Sequence, residues 1–283
     1  MGNQKGHTVS PLVWPLWVKW WLLAGVLGVL QACAYPGGGA AAPQTGAGGA
    51  DFVTESDEPD ARKRARLRIE LATGYFEQGQ TTVALDEVKQ ALVADATYAP
   101  AYNLRGLAYM RLGEMRLAEE SFRRAVALAP RDASLAHNLG WLLCQQSRFT
   151  DAQPLFDAAL LSPMYGGRAK TLLTQGICQA RAGKPIDAEA SLSKAFELDA
   201  GNPVVSFNLA QLQFNRGELN KAQFHLRRLN NSELANVETL WLGMKVEQRL
   251  GSRDALRQLG DQLKRRYPQS RELGSYERGA FHE

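Results

Sequence analysis

The sequence predicts an all-α fold, an α-solenoid of about six stacked helical hairpins. Three observations predict it. A helical pattern of small and large apolar residues recurs every 34 residues or so between about positions 65 and 268. Glycines at 79, 113, 183, 217 and 251 break that pattern near the middle of a unit, where a chain must turn between two helices. Prolines such as Pro130 and Pro268 close units, because proline cannot continue a helix.

The clearest unit is YAPAYNLRGLAYMRLGEMRLAEESFRRAVALAP, residues 98–130. It places Tyr102, Gly106, Tyr109, Ala118, Phe122, Ala125 and Pro130 at the spacing of a tetratricopeptide repeat. Small residues let the two helices approach, large ones fill the remaining gaps, and Gly113 turns the chain. The unit before it carries Leu71, Ala72, Tyr75, Gly79, Ala84 and Ala91, and the unit after it Leu139, Gly140, Ala152, Phe156 and Ala159. A two-residue excess near Gly166-Gly167 precedes the fourth, with Gly176, Gly183, Ala188, Leu192 and Ala195. The fifth has Leu209, Ala210, Gly217, Ala222 and Leu226, and the sixth Leu242, Gly243, Ala255 and Leu259 with an altered turn at Gly251. The solenoid is expected over 61–270, followed by a C-terminal tail, 271–283. Each repeat would bury its apolar face on its neighbours.

The chain before the repeats has another character. Residues 1–19 carry Lys5, His7 and Lys19 and no acid, and Trp20 to Leu30 is apolar. Leu30-Gln31-Ala32-Cys33 follows. A spanning helix needs about 20 apolar residues, and Lys19, Pro11 and Pro15 interrupt that length. Residues 1–32 therefore read as a bacterial lipoprotein signal peptide, with Cys33 the acylated first residue of the mature chain. An uncleaved anchor and an ordinary signal peptide are the alternatives. Acyl chains contribute about 0.8 kcal/mol per buried methylene, so two or three anchor stably. Ala34, rather than an aspartate, follows the cysteine, which favours the outer membrane. From Cys33 to position 60 the chain is rich in Gly, Ala and Pro and then acidic, a flexible tether of about 30 Å as a random coil.

Charge excludes one class of partner. The net charge is +4, and Lys5 and Lys19 account for half of it, so the mature chain is near balance and no nucleic-acid partner is expected. The basic cluster Arg62, Lys63, Arg64, Arg66 and Arg68 beside Asp57, Glu58 and Asp60 reads as a solvated face, with anionic headgroups the alternative. Catalytic signatures are missing: His7, His137, His225 and His282 are scattered, and no metal spacing, nucleophile elbow or phosphate loop appears. No enzymatic activity, cofactor, metal or small-molecule substrate is expected.

A tetratricopeptide solenoid lines its inner groove with first helices. The predicted groove residues are Asn103, Leu107 and Met110, then His137, Asn138 and Trp141, then Leu173 and Ile177, and finally Phe207, Asn208, Gln211 and Phe214. This is an apolar floor set with amides. Amides pair with peptide backbone and the apolar groups supply burial, while the cluster of Lys and Arg that would hold a terminal carboxylate is missing. An apolar segment or helix of a protein is the expected ligand. Cys144 and Cys178 fall in neighbouring first helices; they could form a disulfide if their Cα atoms approach to about 6 Å, or remain buried free thiols.

Four stretches carry a more specific resemblance: HNLGWLLCQQSRFTDA (137–152), SPMYGGRAKTLLTQGICQARAG (162–183), LWLGMKVEQRLGSRDA (240–255) and RRYPQSRELGSYERGAF (265–281). With the lipobox and the repeats, the chain resembles the PilW/PilF family of type IV pilus biogenesis lipoproteins. The resemblance implies a pilotin in the inner leaflet of the outer membrane, facing the periplasm, which binds the secretin subunit PilQ and promotes its localisation and multimerisation. It also implies pairing of Cys144 with Cys178. The competing function is a general periplasmic scaffold that recruits cell-envelope or peptidoglycan enzymes.

Overall fold

The computed structural model describes residues 57–282. The expected signal peptide, Cys33 and the tether up to residue 56 lie outside the described residues. The described residues form thirteen helices and no strand. Twelve of them make six hairpins: α1 (Asp60–Glu77) with α2 (Thr81–Ala94), α3 (Ala99–Arg111) with α4 (Met115–Leu128), and α5 (Ala133–Gln145) with α6 (Phe149–Leu161). Then come α7 (Arg168–Arg181) with α8 (Pro185–Leu198), α9 (Pro203–Asn215) with α10 (Leu219–Asn230), and α11 (Val237–Arg249) with α12 (Arg253–Arg266). A short helix, α13 (Arg271–Glu277), ends the array. First helices α1, α3, α5, α7, α9 and α11 also pack on one another in succession, which puts them on the inner side of the solenoid.

The hairpin turns follow the predicted glycines. Gly79, Gly113, Gly183, Gly217 and Gly251 all have φ between 73° and 81°, a region open to glycine and unfavourable for other L-residues. The third turn has no glycine. Ser147 stands 34 residues after Gly113 and adopts φ 61° in its place, a strain of about 1–2 kcal/mol. The step from Ser147 to Gly183 is longer because the two extra residues lie in the α6–α7 connection.

Packing inside each hairpin explains the small-and-large pattern. Ala118, Phe122 and Ala125 are fully buried, as are Ala152, Phe156 and Ala159, and Ala188, Leu192 and Ala195. A Cβ at Gly106 would lie 2.6 Å from the Phe122 ring, so the glycine is what lets α3 lie against that ring. Helix starts are capped where the sequence supplies the side chain. Asp132 accepts from Ser134 N–H, and Asn236 and Thr239 form a reciprocal capping box at α11.

The sixth hairpin departs from the expected register by one residue. The expected approach of Gly243 to Leu259 is kept, since a Cβ on Gly243 would lie 3.3 Å from that side chain, but Ala255 and Leu259 are only half-buried and do not hold the innermost positions. The turn at Gly251 sets the register, and counting from it assigns the repeat's landmark positions to Met244, Leu256, Gly260 and Leu263. The sizes are inverted: Met244 on α11 is large and fully buried, while its counterpart on α12 is Gly260. The tail fills the outer side of Gly260, where a Cβ would come within 2.4 Å of the Tyr276 ring. Residues 271–281 are thus folded onto the last hairpin, with Leu273 buried and Phe281 stacked on Trp241 at 5.4 Å.

A polar seam joins successive hairpins on the side of the second helices. Gln179 donates to Gln153 at 3.3 Å, Gln213 to Glu189 at 3.3 Å, and Gln223 to Glu247 at 2.8 Å. Each pair links the same two repeat positions. The pattern gives directional registration where apolar packing alone would permit sliding.

Candidate interaction face

The strongest candidate site lies on α3, α5 and α7. Leu107, Met110 and Trp141 are half-buried and pack against one core cluster containing Leu142, Leu143, Phe156, Cys144 and Cys178. Beside them, Asn138 Nδ2 donates to Asn103 Oδ1 at 2.9 Å, an amide pair that bridges two repeats. The pairing uses one donor and one acceptor. A second amide N–H and further acceptor capacity remain for a peptide.

Cys144 and Cys178 are disulfide-bonded, with Cα atoms 5.8 Å apart and 34 residues between them in sequence. The bond ties α5 to α7 beneath this face. Both cysteines are buried, so the crosslink braces the floor and is not itself a contact surface.

His137 must be removed from the predicted groove. Its side chain is 3% exposed. Its Nδ1 lies 2.9 Å from Thr171 Oγ1, which also donates to Tyr165 OH at 3.2 Å. Tyr165 comes from the long α6–α7 connection and packs with Ala133, Ala136 and Ala159, closing the histidine off. Burial, with a smaller contribution from the Lys170 charge, lowers the His137 pKa to about 4. The sign follows directly. An unfolded histidine titrates near 6.5 and binds the proton more readily than folded His137. Its stabilising effect is therefore complete above about 6.5 and declines as the pH falls toward 4. Urea midpoints measured across that window should drop more steeply for the wild type than for His137→Gln; parallel curves would contradict the assignment.

Farther along, Leu173 is half-buried against the cluster of Leu172, Leu192, Ala195, Val205 and Leu209, and Ile177 is half-buried on the same helix. Phe207, Asn208 and Gln211 are half-buried on α9. Their amides are locally engaged: Asn208 Nδ2 donates to Val204 O at 2.8 Å, and Gln211 Nε2 to Asn215 Oδ1 at 3.0 Å. Phe214 is a second correction. It is buried with Ala210, Leu226 and Val246, and the Arg249 guanidinium covers its ring at 4.2 Å. It contributes core and only an edge to the surface.

Trp241, Glu238, Lys245 and Glu272 were not among the predicted groove residues. With Phe207, Gln211 and Phe214 they line a cavity of about 240 Å³ between α9, α11 and the tail. Trp241 lies 34 residues after Phe207, so extending the repeat register by one unit finds it. The acidic residues and the stacking of Phe281 have no such periodic signal. The predicted residues therefore do not form one continuous floor. They divide between the Trp141 region and the Phe207–Trp241 region.

The basic cluster at the start of α1 is largely neutralised. Arg62 pairs with Asp95, Arg66 with Glu58 at 3.2 Å and Glu70 at 3.0 Å, and Arg68 with Glu87 at 2.7 Å. Among the described residues, no group of three or more His, Cys, Asp or Glu is placed to hold a metal, and no helix is long and apolar enough to cross a membrane.

Comparison with known proteins agrees with the architecture. Tetratricopeptide repeat models match residues 99–132 and 179–238. The type IV pilus assembly protein PilF of Pseudomonas aeruginosa is 27% identical over 209 residues, covering 74% of this chain and 83% of that protein. The chain is a tetratricopeptide-repeat homologue of PilF. The crystal structure of PilW, a widely conserved type IV pilus biogenesis factor, superposes with a TM-score of 0.70 at 28% identity, covering 75% of this chain and 97% of PilW. The structure of Pseudomonas aeruginosa PilF superposes with a TM-score of 0.71 at 26% identity, over 78% and 100% of the two chains. These relatives are type IV pilus biogenesis proteins built from the same repeats.

Proposed function

We propose that this protein is a pilotin, a lipid-anchored outer-membrane protein that binds the type IV pilus secretin subunit PilQ and promotes its localisation and multimerisation. One observation carries the reading: in a homologue of PilF, Leu107, Met110 and Trp141 form an apolar surface flanked by the Asn103–Asn138 amide pair and braced by a disulfide. Such a surface suits an apolar protein segment with a backbone to hydrogen-bond.

The mechanism is binding alone. Acyl chains on Cys33 hold the chain at the inner leaflet of the outer membrane, and the tether lets the solenoid reach into the periplasm. The inner face shields an apolar surface of a secretin protomer until the ring closes and buries that surface between subunits. No bond is made or broken. In a deletion strain, SDS-resistant secretin multimers should be lost, and should return with the wild-type gene and return weakly with Trp141→Ala. Unchanged multimers in the deletion strain would refute the pilotin role.

A further inference from the structure

The cavity between α9, α11 and the tail differs in chemistry from the Trp141 face. Phe207 and Trp241, one repeat apart, form its aromatic walls. Glu238 stands one helical turn before Trp241 and so shares its face of α11, and Glu272 reaches the same space from the first turn of α13. Both carboxylates lie in first turns, where the helix dipole favours an acid. Among the described residues, neither has a lysine or arginine within ion-pair distance. Lys245 is the basic member of the lining, and its ammonium lies over the Trp241 ring, 5.1 Å from the centroid. Two negative charges thus face one positive charge, and a single further cation balances the lining.

The rings are unequally used. Trp241 already carries Lys245 and the stacked Phe281. Phe207 is half-buried on the cluster beneath it, and among the described residues no cation covers its ring. Comparable rings in this molecule do carry a guanidinium: Arg111 lies 3.5 Å from the Phe76 centroid and Arg249 4.2 Å from that of Phe214. Gln211 adds an acceptor. Its Nε2 donates to Asn215 Oδ1 at 3.0 Å, which leaves its side-chain carbonyl for another donor. The volume, about 240 Å³, falls below the range of about 300–1,000 Å³ usual for small-molecule sites, and suits one side chain.

We propose that this cavity is a socket for an arginine side chain presented by a protein partner. The guanidinium lies on the Phe207 ring, donates to the carboxylates of Glu238 and Glu272, and gives a further N–H to the Gln211 carbonyl. A planar cation with five donors can use ring, carboxylate and amide together, whereas an ammonium cannot lie flat on the ring. The site is separate from the Trp141 face and does not rest on the secretin reading.

The test uses the full chain purified in detergent, with the Trp241 indole N–H signal followed by NMR. The probe is acetyl-Ala-Arg-Ala-amide, compared with the same peptide carrying lysine, glutamine or glutamate at its centre. A saturable shift is expected with the arginine peptide. Binding should be at least about tenfold weaker for the glutamine and glutamate peptides, which lack the charged donors, and about threefold weaker for the lysine peptide. Glu238→Gln combined with Glu272→Gln should weaken the arginine peptide at least about tenfold and leave the urea midpoint nearly unchanged. Should that double variant not fold, the wild type supplies a second readout, because its affinity for the arginine peptide should fall as salt is raised. No saturable shift, or a comparator that binds as well as arginine, would overturn the proposal. So would an affinity indifferent to salt, or binding that survives the double variant.

Discussion

Phe122→Ala is expected to destabilise the solenoid by about 3–5 kcal/mol, the usual cost of removing a fully buried aromatic ring. The ring is completely inaccessible and is clamped between Gly106 on α3 and the floor containing Leu139 and Leu142. Relaxation can recover little of the loss. Gly106 has no side chain to advance into the void, and α3 is held by packing against both α1 and α5. Urea denaturation followed by circular dichroism measures the effect, with Phe224→Ala as control because Phe224 is 61% exposed. The first variant should shift strongly and the control little. Because repeats couple mainly to their neighbours, the Phe122 variant should also broaden the transition. A shift below about 1 kcal/mol would mean that the hairpin interior is not close-packed.

The second large effect is expected at the disulfide. Closing a loop of 34 residues restricts the unfolded chain by about 3–4 kcal/mol in the chain-entropy treatment. Cys144→Ala with Cys178→Ala should lower stability by that amount, and reductant should bring the wild type to nearly the same midpoint while leaving the double variant unchanged. Identical midpoints with and without reductant would show that the crosslink contributes nothing. The consequence reaches function because Trp141 packs on the cluster that contains both sulfurs. Loosening α5 against α7 is expected to blur the face before it unfolds the protein.

Much of this architecture was legible in residue spacing. Gly106, Ala118, Phe122 and Ala125 announce a hairpin because only small residues tolerate the helix approach that a buried ring requires. Ser147 hides the third turn from a glycine count, yet the 34-residue step still finds it. The sixth hairpin was legible in part: Gly243 does lie close to Leu259, but the turn at Gly251 puts the fully buried Met244 beside it.

The interaction face was legible only in part, for a physical reason. Repeat position sets which helix a residue occupies, but an irregular loop can cover it, as Tyr165 does to His137. Nor does periodicity forecast that Phe281 reaches Trp241. Phe281 lies in the tail and has no counterpart in a repeat, whereas Arg249 over Phe214 repeats the stacking of Arg111 on Phe76. The seam of Gln153, Glu189 and Gln223 is periodic, but its partners change identity at each step, so only the assembled structure joins it.

The most direct test of the central claim is a calorimetric titration of purified secretin protomer into this protein. The wild type should bind, and Trp141→Ala should weaken binding by about thirtyfold, as for a central aromatic contact worth about 2 kcal/mol. Phe224→Ala, on a second helix, should leave the affinity unchanged. Equal affinity of the wild type and Trp141→Ala, or no binding by a folded wild type, would contradict the account.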